Sequence, residues 1–232
     1  MLASHAIAAA ATWAPQEFGD KRASTIADPI IEPLWTGPRI LAFVREGLAT
    51  LKDAAGDAIE DQDEIATALV EAAGDATILL EAVLTPEPLQ SPVGVAGRDL
   101  VSTPKPQDAM SQMIVGSRGD RKDRIARHVD EAKARRLGAT GEPLALVAVD
   151  LLWLDDESLC DVPLLERKRI LESVLVESEL IRVGIYVKPP IDAWLGSWRA
   201  FGFRRLAYKA ANSRYLPGAK NQEWAQAEIP QR

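Results

Sequence analysis

The 232-residue sequence is poor in the residues that form disulfides or structural metal sites. It has one cysteine, Cys160, and two histidines. A single cysteine cannot form an internal disulfide, and these three side chains fall short of the four nitrogen or sulfur ligands of a structural zinc site. We therefore expect no structural zinc and a location in the reducing cytoplasm.

Long apolar segments are also missing. No apolar run reaches about 18 residues, the length that a membrane-spanning helix needs. The alanine-rich start lacks the basic beginning and the cleavage site of a signal peptide, so we interpret residues 1–27 as a helical N-terminal extension. The 47% hydrophobic and 26% charged content is that of a globular protein with an ordinary core.

The charge is unevenly distributed. The net charge is −7, with +4 on residues 161–232 and −11 on residues 1–160. Residues 199–222, the basic segment, contain no acidic residue. Such a segment can bind a phosphate backbone, or it can protect a strand edge from aggregation, and both interpretations stay open. As a nucleic-acid surface it would use Arg199, Arg204, Arg205, Arg214 and Lys220.

Hydrophobic periodicity and turn residues predict an α+β fold with two antiparallel or mixed β-sheets flanked by helices. Strands are predicted at residues 30–35, 38–45, 48–52, 75–84, 144–152, 181–187, 203–209 and 223–229. Helices are predicted from an Asp61 or Asp63 cap to about Ala73, over 120–137, after an Asp161 cap, and over 191–201. The proline-rich residues 86–119 and the charged helix after them predict a loop or insertion over about 86–137.

Four sequence blocks resemble ATP-dependent DNA ligases. Glu32-Pro-Leu-Trp-Thr-Gly-Pro-Arg39 is similar to the nucleophile motif of that family, in which lysine, any residue, aspartate, glycine, any residue and arginine follow one another. The other blocks, in the order of the family, are Ile78–Val83, Leu146–Leu171 and Gly202–Trp224. The resemblance implies the two-sheet, ATP-grasp-like nucleotidyltransferase fold of a ligase adenylation domain over residues 28–232.

Within this resemblance the catalytic positions are changed. Leu34 stands at the position of the family's nucleophilic lysine, and Arg204 stands at the position of its metal-binding glutamate. A leucine has no lone pair with which to attack a phosphate, and an arginine repels Mg²⁺. Further changed positions are Thr36 for aspartate, Ala54 for arginine, Val149 for the adenine-stacking aromatic, Arg205 for glycine, and Gln226 and Glu228 for the two α-phosphate lysines. The resemblance therefore predicts a catalytically inactive protein.

Three polar residues of the family pattern remain, Arg39, Glu81 and Lys209. The resemblance implies that they could bind ATP, and ATP and Mg²⁺ are implied as cofactors by resemblance alone. The alternatives are an ion pair between Glu81 and Arg39, with Arg39 structural, and a solvated Lys209. Asp155-Asp156-Glu157 predicts a turn rather than a metal site, and Trp194 and Trp198 are expected to share one helix face.

Three functions follow from these observations. The first is an inactive ligase-derived protein that binds DNA ends, a nucleotide or a repair protein in DNA repair or recombination. The second is an active nucleotidyltransferase that uses another lysine, such as Lys209. The third is a structural or regulatory module that pairs with a genuine ligase. Ligases of this family continue into an OB-fold barrel, whereas this sequence ends soon after Trp224, so we expect no such domain.

Overall fold

The computed structural model describes residue 10, residues 12–86 and residues 144–230. Most of the predicted insertion, with its charged helix, lies outside these residues. In chain order the strands are β1 (Glu17–Phe18), β2 (Pro29–Pro33), β3 (Arg39–Arg45), β4 (Leu48–Lys52), β5 (Ile78–Thr85), β6 (Ala145–Leu154), β7 (Glu157–Ser158), β8 (Ile181–Val183), β9 (Arg205–Ala210), β10 (Lys220–Asn221) and β11 (Trp224–Glu228). The helices are α1 (Asp63–Ala73), α2 (Leu164–Val174) and α3 (Asp192–Ala200), with a 3-10 turn at Ala23–Thr25.

The larger sheet has the order β4-β3-β5-β6-β7, and β8 pairs with β6 in parallel. One face packs against α1, whose apolar positions Ile65, Leu69 and Ala72 are buried, as the sequence predicts. The predicted caps are wrong. Gln62 precedes α1 and Pro163 precedes α2, and neither side chain caps its helix. The ψ of 139° at Pro163 keeps the chain extended, so α2 begins after it.

The smaller sheet has the order β11-β9-β2, with antiparallel neighbours. β1 pairs with β10 in parallel and brings the N-terminal extension onto the domain. Helix α3 covers the outer face, where Trp198 is buried with Phe203 and Leu206. The rings of Trp194 and Trp198 lie 6.1 Å apart, which confirms that they share one helix face.

The two sheets meet through their inner faces. Ile30 of β2 and Trp224 of β11 pack with Leu41, Leu79 and Leu152 of the larger sheet. We call the side chains between the sheets the intersheet layer. The predicted strand over 181–187 is shorter than expected, because the chain leaves β6 after Gly184 and crosses to β2, where Val187 pairs with Ile31. The predicted α+β fold with two antiparallel or mixed sheets is confirmed, since the smaller sheet is antiparallel and the larger one is mixed.

None of the helices in residues 12–86 and 144–230 combines the length and the apolar content that a bilayer crossing requires.

Candidate functional site

The loop between β2 and β3 contains the position of the family's nucleophile. Its start is held by Leu34 N–H, which donates to Arg205 O at 2.9 Å, and its end by Leu84 N–H, which donates to Pro38 O at 3.2 Å. Between them Gly37 has a φ of 144°, and a Cβ there would lie 2.0 Å from Leu84 O. Only glycine fits such an approach, so the loop keeps its shape although Leu34 offers no nucleophile.

Arg39 and Glu81 form an ion pair at the edge of the intersheet layer, where Glu81 is buried and the Arg39 side chain is partly exposed. Arg39 Nε donates to Glu81 Oε1 at 2.8 Å, and Tyr215 Oη donates to Glu81 Oε2 at 2.7 Å. Burial raises the pKa of Tyr215, and the neighbouring Glu81 carboxylate raises it further. The backbone of Gln16 completes the group, because its N–H donates to Tyr215 Oη at 2.9 Å and its carbonyl accepts from Arg39. The ion-pair alternative from the sequence is confirmed.

Lys209 is buried, so the expectation of a solvated lysine is wrong. Its Nζ lies 2.8 Å from Glu32 Oε2, and Lys168 Nζ lies 2.7 Å from Glu32 Oε1. Lys209 Nζ also lies 4.2 Å from the ring centroid of Trp224, within cation–π range. The solvated expectation failed because the inner face of β9 is covered by the larger sheet.

In this triad (Glu32, Lys168 and Lys209), the pKa values of Glu32 and Lys209 are shifted. Burial alone would raise the pKa of the Glu32 carboxyl, but Lys168 and Lys209 outweigh it and lower the pKa. Burial lowers the pKa of Lys209 despite the attraction of Glu32. The triad therefore has one carboxylate shared by two buried amines.

The adenine-stacking position of the family is occupied by an apolar group. Val149 packs with Val83 and Val147, and Trp35 lies against them. The ring of Trp35 also meets Phe203 edge-on, with centroids 4.9 Å apart. Trp35 therefore packs against Val149, the residue at the family's adenine-stacking position.

The changed metal and phosphate positions lie at one end of the smaller sheet. In the register of β9 and β11, Arg205 stands opposite Glu228, and Arg205 Nη1 donates to Gln226 Oε1 at 3.0 Å. Arg204 is exposed. In the part of the chain that the structure describes, no group of three His, Cys, Asp or Glu side chains could hold a metal ion. Asp155 and Asp156 form the predicted turn.

The basic segment is divided between the two ends of β9. Arg199 Nη1 donates to Pro230 O at 2.8 Å, and Arg204 O accepts from Ile229 N–H at 2.8 Å. Arg199, Arg204 and Arg205 lie beside the end of β11, and we call them the arginine cluster. Arg214 pairs with Asp161 at 3.1 Å and Lys220 pairs with Asp20 at 3.0 Å, beyond the other end of β9. At about 3.3 Å per residue, the length of β9 separates the two groups.

Sequence reasoning missed Lys168, Arg167 and Gln16, which are all fully buried. Arg167 and Lys168 lie in a helix rich in charged residues, a pattern that favours solvated side chains. The only signal was their place inside the Leu146–Leu171 block of the family resemblance. Gln16 gave no signal, because its partners are about 200 residues away in sequence.

Comparisons with known proteins agree with this geometry. The ligase domain of M. tuberculosis LigD matches 94% of this chain with a TM-score of 0.60 at 20% identity. A mycobacterial DNA ligase D complexed with ATP and MES matches 94% with a TM-score of 0.61 at 18% identity. A DNA ligase from Thermococcus fumicolans is 36% identical over 86 residues, which are 35% of this chain and 15% of that ligase. No protein-family model matches.

These likenesses show the fold. The chain has the nucleotidyltransferase fold of ATP-dependent DNA ligases, which confirms at the level of fold the resemblance that the four sequence blocks carry. The chain spans 60% of each of the two ligase structures.

Proposed function

We propose that this chain, with the fold of a DNA ligase nucleotidyltransferase domain, binds DNA ends without transferring adenylate. Its role would then lie in DNA repair or recombination, in the cytoplasm. The observation that carries the absence of adenylate transfer is the intact loop around Gly37, in which Leu34 takes the place of the nucleophile.

The charges around Leu34 support the loss of adenylyl transfer. Phosphoryl transfer depends on metal ions and cationic side chains that neutralise the phosphates. At the corresponding end of the sheet, Arg204 takes the metal position, where it would repel Mg²⁺, and Glu228 takes a lysine position. Lys209 is a poor substitute nucleophile, because it is 3% exposed and its amine is paired with Glu32. An active enzyme using Lys209 is therefore disfavoured.

The arginine cluster supports the DNA-binding part. Arg199 and Arg205 donate to neutral oxygens, a backbone carbonyl and an amide. Glu228 stands opposite Arg205, so the three arginines keep a net positive charge at this end of the sheet. Arg204 and Arg205 are exposed. Phosphate backbones bind such groups by releasing condensed counterions. Arg214 and Lys220, in contrast, each face a carboxylate.

A binding assay with labelled nicked and blunt-ended duplexes tests this proposal. We compare the wild type with Arg199→Ala/Arg204→Ala/Arg205→Ala and with the control Arg214→Ala/Lys220→Ala. Three lost phosphate contacts should reduce the slope of log K against log salt by about 3, and the control should change it less. Absence of any binding by the wild type at about 50 mM salt would contradict the proposal.

Covalent adenylation is tested separately. The protein is incubated with α-labelled ATP and Mg²⁺ and is then run on a denaturing gel. We expect no labelled band. A band that survives denaturation would show a covalent AMP adduct and would refute the absence of adenylyl transfer.

A further inference from the structure

The triad places an anion of the protein between two buried amines. One oxygen of Glu32 accepts a hydrogen bond from Lys209 of β9. The other lies 2.7 Å from Lys168 Nζ of α2, an ion pair without hydrogen-bond geometry. Lys168 is fully buried and Lys209 is 3% exposed. Buried ammonium groups need an anion at close range, because the interior offers no water to stabilise them. Glu32 therefore supplies the negative charge that a bound oxyanion would supply to two lysines.

A second group of the protein, residues 16–18, packs over Arg39 and Glu81. The backbone of Gln16 bonds both Arg39 and Tyr215, and the Gln16 side chain accepts from Leu216 N–H and from Asn221 Nδ2. The neighbouring Phe18 ring lies 5.5 Å from the Arg39 guanidinium carbon. Residues 16–18 thus pack over the ion pair, and Gln16 is fully buried, although the Arg39 side chain keeps 29% of its surface exposed.

We propose that the intersheet layer is filled by the protein's own groups, with Glu32 as an internal anion on Lys168 and Lys209. The folded protein then takes no ATP, and these lysines accept a phosphate-type oxyanion only when Glu32 is neutralised. This inference goes beyond DNA binding and is independent of it, because the arginine cluster lies outside the intersheet layer. Failure of either proposal leaves the other standing.

The first test is a thermal-shift titration of the wild type with ATP, with and without Mg²⁺. A ligand at about 100 times its Kd would raise the Tm of a domain of this size by roughly 5–11 °C. We expect no shift that exceeds the shift with sodium chloride at equal ionic strength. The arginine cluster can itself bind phosphate groups, so the titration is repeated with Arg199→Ala/Arg204→Ala/Arg205→Ala. A saturable shift with ATP that persists in this variant would overturn the proposal.

The second test removes the internal anion with Glu32→Gln, and Glu71→Gln, an exposed position on α1 away from the triad and the arginine cluster, serves as the control. Loss of one partner of a buried pair should lower the Tm of Glu32→Gln by roughly 6–20 °C. Inorganic phosphate should then raise its Tm by about 5 °C more than it raises the Tm of the wild type or the control. All samples are compared with chloride at equal ionic strength.

The outcomes separate clearly. A phosphate response confined to Glu32→Gln, including folding that occurs only in phosphate, supports the internal anion. A folded Glu32→Gln with the same phosphate response as Glu71→Gln would overturn it. If Glu32→Gln does not fold in either salt, the ATP titration of the wild type and of the triple arginine variant decides alone.

Discussion

Arg167 and Asp150 form a fully buried ion pair that is bonded at two points. Arg167 Nε lies 2.8 Å from Asp150 Oδ1, and Arg167 Nη2 lies 2.7 Å from Asp150 Oδ2. Arg167 Nη1 also donates to Ser213 O at 3.2 Å. The guanidinium of Arg167 therefore connects β6, helix α2 and the segment after β9. Through these contacts it links the larger sheet to the segment between β9 and β10.

Removal of the carboxylate should be costly. In Asp150→Asn the guanidinium stays buried without a counter-charge, and we expect the free energy of unfolding to fall by about 3–5 kcal/mol. Urea denaturation measures this loss. The control is Glu166→Gln, which breaks the exposed Arg169–Glu166 pair and should cost less than about 1 kcal/mol. Equal losses in the two variants would show that the buried pair has no special role.

The tyrosines should titrate abnormally high. The chain has three, Tyr186, Tyr208 and Tyr215. Burial raises the pKa of each of them, that of Tyr186 to about 12, where Glu172 adds to the effect. Phenolate absorbance of the folded protein should therefore stay low at pH 10, whereas in concentrated urea it should rise with a midpoint near about 10.

The raised tyrosine pKa values determine how the free energy of unfolding depends on pH. A raised folded pKa means that the unfolded state releases its protons first, so this contribution to stability is complete below about pH 10. It is lost as the pH rises from about 10 towards the folded pKa values. Urea midpoints that stay constant through this range, or a normal tyrosine titration in the folded state, would contradict the prediction.

Local patterns in the sequence were sufficient for much of the fold. The strand over 48–52 has the predicted bounds, and Ile65 and Leu69 occupy the predicted buried face of α1. Those features depend on alternation and helical spacing over a few residues. The charged pairs in the intersheet layer were harder to predict. Glu32 and Lys209 are 177 positions apart, so their contact depends on how the two sheets meet.

Gly37 should tolerate no side chain. A Cβ at this position would lie 2.0 Å from Leu84 O, a backbone atom that cannot move away without disturbing β5. We expect Gly37→Ala to lose several kcal/mol of stability, on the order of 4 kcal/mol or more. The change is measured by urea denaturation.

The matched control is Gly196→Ala, in the middle of α3. A Cβ there meets nothing within 4 Å, and alanine is the better helix former by about 0.5–1 kcal/mol. Gly196→Ala should therefore be neutral or slightly stabilising. Stability of Gly37→Ala near that of the wild type would mean that the loop between β2 and β3 does not have the described shape.

Replacement of Leu34 by lysine alone should not restore adenylyl transfer. The loop would present the new amine, because its two anchoring hydrogen bonds and Gly37 are unchanged by the substitution. Arg204 would still stand at the metal position, where its charge repels Mg²⁺, and Glu228 would still stand at a phosphate-lysine position, where it repels the α-phosphate. We expect no labelled band from Leu34→Lys with α-labelled ATP and Mg²⁺, in protein whose Tm shows that it is folded. A covalent AMP adduct would mean that the positions assigned to metal and phosphate binding are not the ones that matter.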